Sequence, residues 1–179
     1  MPSDSPECNP PPDGYQEALE SYLFKPLREA FISLLQKSKN STTNNIWFSH
    51  ISTYYQQPQH LVADNEFPSL FVLTPSSAFE RHSMDQNRGI IDIQFEYYCR
   101  HYKHNVTNEL EHFVERLLYI IQVNKTIKFG KLIGGVQLCA KNAMPDSAEF
   151  DYYVDSSFVT RSATVIVKID VPLLMVEPP

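Results

Sequence analysis

The sequence predicts an α+β fold, in which two α-helices pack on one face of a mainly antiparallel β-sheet and long loops or hairpin arms project from it. Apolar residues recur at steps of three and four in residues 15–37 and 108–123, the spacing of one buried helix face. In residues 90–100 and 161–173 apolar and polar residues alternate instead, as in strands with one buried face. One apolar stripe per helix leaves the other sheet face for water or partners.

The composition is that of one folded domain. The 179 residues are 42% hydrophobic and 20% charged, enough to bury a core without disulfides or metal. We expect a single domain over residues 15–173, an extended N-terminal arm over residues 1–14 with five prolines, and a C-terminal tail over residues 174–179. The net charge of −6 disfavours a protein that grips nucleic acid over a broad surface.

The cellular setting is also limited by composition. No secretory signal pattern opens the chain, and no apolar run approaches the length of a membrane helix, so we expect a cytosol-like compartment and no membrane partner. The cysteines Cys8, Cys99 and Cys139 are odd in number and far apart, which argues against disulfides.

The N-terminal part of the domain predicts a first helix and a short strand. In residues 15–37, Pro26 should either kink the helix or start its second half. A polar loop follows, and residues 46–52, which contain the only Trp, suggest a short strand before an irregular connection.

Residues 67–100 predict two strands joined by a long loop. Residues 67–73 form an apolar run that Pro75 stops, which indicates a buried strand. Residues 76–88 show no apolar period and exceed the length of a compact hairpin, so we expect a loop that is either mobile or in contact with something. The strand at residues 90–100 has one apolar and one polar face.

The centre of the predicted fold is the helix at residues 108–123. Asn108 followed by Glu111 is typical of a capping box, and the acidic first turn suits the positive end of the helix dipole. After it, Gly130, Gly134 and Gly135 indicate tight turning or close backbone approach before a strand at residues 136–140.

Residues 142–158 leave two alternatives open. Their acidic and aromatic residues alternate too irregularly to separate a second hairpin arm from an irregular insertion between strands. The alternating strand at residues 161–173 then closes the domain.

Motifs for catalysis or metal binding are weak, so we expect no enzyme, no cofactor and no metal. Cys99, His101 and His104 are the best metal candidates because alternation places the first two on one side of a strand. An ordinary core cysteine beside surface histidines explains the same pattern. Asp151 and Asp155 resemble a pair of catalytic carboxylates, but carboxylates in such a polar stretch are usually solvated. No G-x-S-x-G or phosphate-binding glycine motif occurs.

The order of elements resembles the tail terminator family of tailed bacteriophages. The resemblance spans residues 15–173 and is closest after the second helix, where Lys125-Thr126-Ile127-Lys128-Phe129-Gly130-Lys131-Leu132-Ile133-Gly134-Gly135-Val136 leads into a strand. It implies a virion structural protein, without catalytic residues, whose copies form a ring, in family precedent a hexamer. Head completion and neck joining proteins share this fold, so the resemblance leaves that alternative open. A small metal-dependent enzyme or binding module is the alternative of another class.

The resemblance also implies partners and a location. The ring would cap the tail tube at the head-proximal end of the virion tail, stop polymerisation of the major tail tube protein, and face a head completion or connector protein. Assembly would occur in the host cytoplasm, and genome DNA would pass through an acidic or neutral lumen without specific binding. From the residues, we expect the interface in two stretches, with these candidates: Phe79, Arg81, His82, Met84, Arg88, Asp151, Tyr152, Tyr153 and Asp155.

Overall fold

A computed structural model describes residues 19–40, 42–58, 62–83, 86–102, 108–131, 137–154 and 158–174. These residues form two helices on a six-stranded sheet, which confirms the predicted fold class. The helices are α1 (Lys25–Lys37) and α2 (Glu109–Val123). The strands are β1 (Thr53–Tyr55), β2 (Ser69–Ser83), β3 (Gln86–Tyr102), β4 (Thr126–Lys131), β5 (Gln137–Val154) and β6 (Phe158–Leu174).

The sheet has the strand order β1-β2-β3-β6-β5-β4. All neighbouring strands are antiparallel except the short β1, which runs parallel to β2. The longest ladder joins β3 to β6 without a break, from Gln86 opposite Leu174 to Tyr102 opposite Phe158. These two strands are therefore the middle of the sheet.

Both helices cover the same face of this sheet. Phe31 of α1 packs edge-on against Phe95 of β3, and Phe113 of α2 stacks on Tyr97 of β3 with ring centroids 4.5 Å apart. Phe95 and Tyr97 are two residues apart on one strand, so their side chains point to one face. The predicted alternation of β3 is confirmed, because its residues on this face are all buried: Ile91, Ile93, Phe95, Tyr97 and Cys99.

Pro26 marks the change between two kinds of helix. A π-helical turn, Glu20–Phe24, leads into α1, and Pro26 lies in the first turn of α1, the helix position that tolerates proline best. This confirms that the proline starts the second half of the predicted helix. Residues 15–18 lie outside the described residues.

Helix α2 begins after Asn108, as predicted, but the predicted capping box does not form. Asn108 makes no side-chain capping hydrogen bond. Glu111 lies 3.6 Å from the guanidinium of Arg161 on β6 and so is directed toward the sheet. Among the described residues, neither helix has the length and apolarity needed to span a membrane.

The glycine-containing turn predicted after α2 includes a strand. Ile127 and Phe129 of β4 are buried, so the segment alternates over too short a length to stand out in the sequence. Gly130 has a positive φ of 28°, and a Cβ there would lie 3.1 Å from Cβ of Pro26. The predicted close backbone approach therefore joins β4 to α1. Gly134 and Gly135 lie outside the described residues.

Three other sequence expectations change or become definite. Residues 76–83 and 86–88 are not a loop, because β2 and β3 continue their ladder to Ser83 opposite Gln86. Residues 142–154 belong to β5 and pair with β6 as far as Val154 opposite Val159, so this stretch is a hairpin arm. The short strand expected at residues 46–52 is instead β1, which follows a turn that contains Trp47.

Candidate functional site

The candidate interface residues fall on two hairpin arms. Asp151, Tyr152 and Tyr153 lie near the end of β5, in the β5–β6 arm (residues 142–154 with 158–168). On β2 and β3, the backbone places four candidates in the β2–β3 arm (residues 76–83 with 86–92), of which the first three pair across the ladder and the last lies at a register shift: Phe79, Arg81, Arg88 and His82. Met84 and Asp155 lie outside the described residues. The two arms point in opposite directions, since β3 runs from the tip of one arm to the tip of the other.

The β5–β6 arm exposes a large apolar surface on the helix side of the sheet. Phe150 lies opposite the buried Ala163 and therefore shares its face, as do Tyr152 and Val154. Their exposed fractions are 54%, 73% and 49%. Monomeric proteins rarely expose a contiguous patch of this kind unless it binds something.

The open face of the sheet, opposite the helices, is acidic and polar. Its central residues alternate with the buried ones: Asp92, Gln94 and Glu96 of β3, and Thr160, Ser162 and Thr164 of β6. On β5, Glu149 and Asp151 lie opposite Thr164 and Ser162 and so extend this face. Lys168, a cation on the same face, is paired with Asp146 at 2.9 Å.

An aromatic groove of about 700 Å³ lies at the end of this open face. Phe71 packs between Tyr55 and Tyr98, and Tyr153 of the β5–β6 arm closes the far side. The Arg100 guanidinium lies 4.6 Å from the Phe158 ring centroid and forms an ion pair with Asp64. Burial, with Glu96 close by, raises the pKa of Tyr98 to about 12, so its hydroxyl stays neutral. The groove offers ring surfaces and one guanidinium, which suit a protein contact better than chemistry.

A cluster of polar side chains lies under the start of α2 on the other face. Ligand atoms of Cys99, His101 and Glu109 all lie within 4.8 Å of one another. Nε2 of His101 is 2.9 Å from Oε2 of Glu109, and the Tyr97 hydroxyl donates a hydrogen bond to Oε1 of Glu109. Cys99 and His101 share a face, as the sequence predicted, and His104 lies outside the described residues.

The sequence reasoning missed Glu109 as a partner in this cluster. Its position in the first turn of a helix was visible, but the strand beneath that turn was not. Nε2 of His50 is 3.9 Å from Glu109, and burial lowers the pKa of His50, which favours its neutral form. Burial also raises the pKa of the Cys99 thiol to about 12, so Cys99 is protonated at neutral pH and is a poor nucleophile.

Since Asp155 lies outside the described residues, Asp151 is the described member of the carboxylate pair weighed from the sequence. Its side chain is exposed on the β5–β6 arm, where it accepts a hydrogen bond from the Tyr152 backbone N–H at 2.7 Å. Such an environment holds an ordinary solvated carboxylate.

The chain matches no protein-family model, and a search of curated proteins finds no match. The arms, the open face and the Cys99 cluster are therefore the features from which a function can be inferred.

Proposed function

We propose that this protein is a virion structural protein, a tail terminator whose copies form a ring on the tail tube. The observation that carries the proposal is the exposed apolar surface of the β5–β6 arm, Phe150, Tyr152 and Val154. Because the exposure of apolar surface to water is unfavourable, the arm is stabilised when a second protein covers it. An assembly protein has this need, and the sequence resemblance names the kind of assembly.

The open face supports a ring around DNA. The helices cover one side of the sheet and add bulk there, so a closed ring accommodates them best on its outside. The acidic open face would then line the lumen, with Asp92, Glu96 and Glu149 toward the axis. Acidic groups repel phosphates and release no counterions, so duplex DNA passes without being held.

The first experiment measures oligomer size by native mass spectrometry and electron microscopy of the purified protein. We expect a closed ring, with a hexamer as the family precedent. Phe150→Asp should leave a folded monomer, whereas Tyr22→Asp, which changes an aromatic residue of the same 54% exposure on the first helical segment, should leave the ring intact. Equal assembly of both variants would contradict the proposal.

The second experiment separates the terminator from a head completion or neck joining protein. In infected cells, loss of a terminator should give overlong tails, whereas loss of a neck protein should give tails of normal length that fail to join heads. Tails of normal length that stay unjoined would therefore select the neck role.

A metal-binding role is the second candidate, because Cys99, His101 and Glu109 supply three ligand types that zinc accepts. The test is metal analysis of the purified protein with titration of Zn²⁺. Stoichiometric zinc that is lost together in Cys99→Ala and His101→Ala would support this role, and absence of zinc uptake would end it.

A further inference from the structure

Each edge of the sheet has a long stretch without a strand partner among the described residues. On one side β1 pairs only with Ser69–Phe71 of β2, so residues 72–83 of β2 have a free outer edge. On the other side β4 pairs only with Gln137–Lys141 of β5, so residues 142–154 of β5 have a free outer edge. Free edges present unpaired N–H and C=O groups that bind another strand.

The two free edges belong to strands that run in opposite directions, as antiparallel pairing requires. Strands β2, β3, β6 and β5 alternate in direction along the sheet, so β2 and β5 run antiparallel. Copies with the same orientation, placed side by side, therefore bring β5 of one copy antiparallel to β2 of the next. Such a contact is heterologous, and repeating it gives a ring if the rotation closes.

The stagger between the edges agrees with ring closure. Positions on both edges can be compared along β3. The free part of β2 lies opposite residues 86–95 of β3, while the free part of β5, compared through β6, extends to the level of residue 101 of β3. Their centres differ by about five to six residues, or about 19 Å at ~3.4 Å per residue. One copy advances the sheet by four strand spacings, also about 19 Å. Equal steps along and across the strands tilt them by about 45°, close to the ~35–45° found in closed barrels.

We propose that β5 of one copy pairs with β2 of the next copy, so that a continuous barrel of strands closes the ring. This inference rests on the ring of the proposed function and names its interface. Bulges at Lys141/Met144 and Pro145/Ser147 on β5, and at Leu73/Ser76 on β2, interrupt both edges near the middle. The free stretches that contain these bulges, residues 142–154 of β5 and 72–83 of β2, are nearly equal in length, so they can pair along their whole extent.

The charges of the two segments favour this partner over a second β5. Residues 148–154 carry Glu149 and Asp151 and no cation, so two β5 edges would bring carboxylates together. Residues 76–83 carry one carboxylate, Glu80, with Arg81 and His82. The β2 segment has no net charge when His82 is neutral, so pairing with it avoids the repulsion between carboxylates that two β5 edges would have. The same contact would place β2 of the next copy beside Phe150 and Tyr152.

The test uses cross-linking between differently tagged copies, in a background where Cys8 and Cys139 are Ser and the buried Cys99 is kept. One copy carries Ala78→Cys and the other Glu149→Cys, Asp151→Cys or Tyr153→Cys, which covers the possible registers. We expect a bismaleimide cross-link between tags for at least one pair. Lys128→Cys, exposed on β4, is the control and should give none with Ala78→Cys.

The outcomes separate this inference from the proposed function. A closed ring without any β2–β5 cross-link would overturn the edge pairing while the ring stands. Cross-links only between two Asp151→Cys copies would also overturn it, since they show a two-fold β5 contact. Monomers in every condition would overturn the ring and the pairing together.

Proline substitutions in β5 give a second test, in which the folding of the monomer is measured beside ring assembly as the control. In an antiparallel strand, successive residues point their N–H groups to opposite sides, so one of Phe150 and Asp151 donates toward β6 and the other toward the free edge. Proline at the outward residue should leave the monomer folded and abolish the ring. If neither Phe150→Pro nor Asp151→Pro gives a folded protein that fails to assemble, the edge pairing is wrong.

Discussion

Replacing Phe113 by Ala tests the helix-on-sheet core most directly. Phe113 is 1% exposed, stacks on Tyr97 at 4.5 Å and packs edge-on against Phe48 at 5.7 Å. Removing a buried Phe costs about 3–5 kcal/mol, and the two aromatic pairs place this site toward the upper end of that range. At about 2–4 °C per kcal/mol for a domain of this size, the melting temperature should fall by roughly 10–15 °C.

The measurement is urea unfolding followed by circular dichroism, compared with Val123→Ala. Val123 lies on the same helix but is 60% exposed, so its truncation should change the unfolding free energy by less than about 0.5 kcal/mol. A loss below about 1 kcal/mol for Phe113→Ala would refute the reasoning, because it would mean that the stripe of α2 does not fill the core.

Three further perturbations have defined outcomes. Burial raises the pKa values of Cys99 and Tyr97, so the unfolded chain loses these protons at lower pH than the folded protein does. The stability that these groups contribute should therefore be complete below about pH 9 and fall as the pH rises. In thermal melts at a series of pH values, Cys99→Ala should flatten that fall. Glu149→Lys with Asp151→Lys should create salt-dependent duplex binding in filter assays, whereas binding by the unchanged protein at micromolar concentration would contradict an inert lumen. Replacing residues 76–88 by a short turn should leave the helix-covered core folded, because that core lies at residues 91–99 of β3, yet prevent ring formation; rings with tails of normal length would show that the β2–β3 arm is dispensable.

The centre of the fold was predictable because burial enforces a period. In β3 and β6 every second side chain is buried beneath a helix. A polar residue there would lower the stability of the fold, so the alternation is visible in the sequence. The same reason explains the failure at residues 76–88. Ser76, Ser77 and Ala78 at its start are all exposed, and a strand stretch with both faces exposed leaves no apolar period to detect.

The Cys99 cluster could be predicted only in part. Strand alternation placed Cys99 beside His101, since residues two apart share a face. Glu109 comes from the next helix, and its contact with Tyr97 depends on where that helix crosses the sheet. Asn108 and Glu111 matched a local capping pattern, but a tertiary partner, Arg161, lies near Glu111. Local signals predict such side chains poorly when a longer-range contact competes.

The offset between the two free edges also decides whether an edge-to-edge assembly becomes an open fibre or a closed ring. A heterologous contact between free edges builds an open fibre when the rotation does not close, and this is the ordinary hazard of exposed strands. Closure pairs the long free stretches of β2 and β5, so among the described residues only the outer edges of the short strands β1 and β4 are left. A protein built this way adds one ring and then stops. In the proposed role, this property would let a single layer end the growth of a tube, because the only surfaces left are the two rims. The two arms point in opposite directions, so in such a ring the β2–β3 arm would reach one rim and the β5–β6 arm the other, and the tube and the head connector would meet different arms.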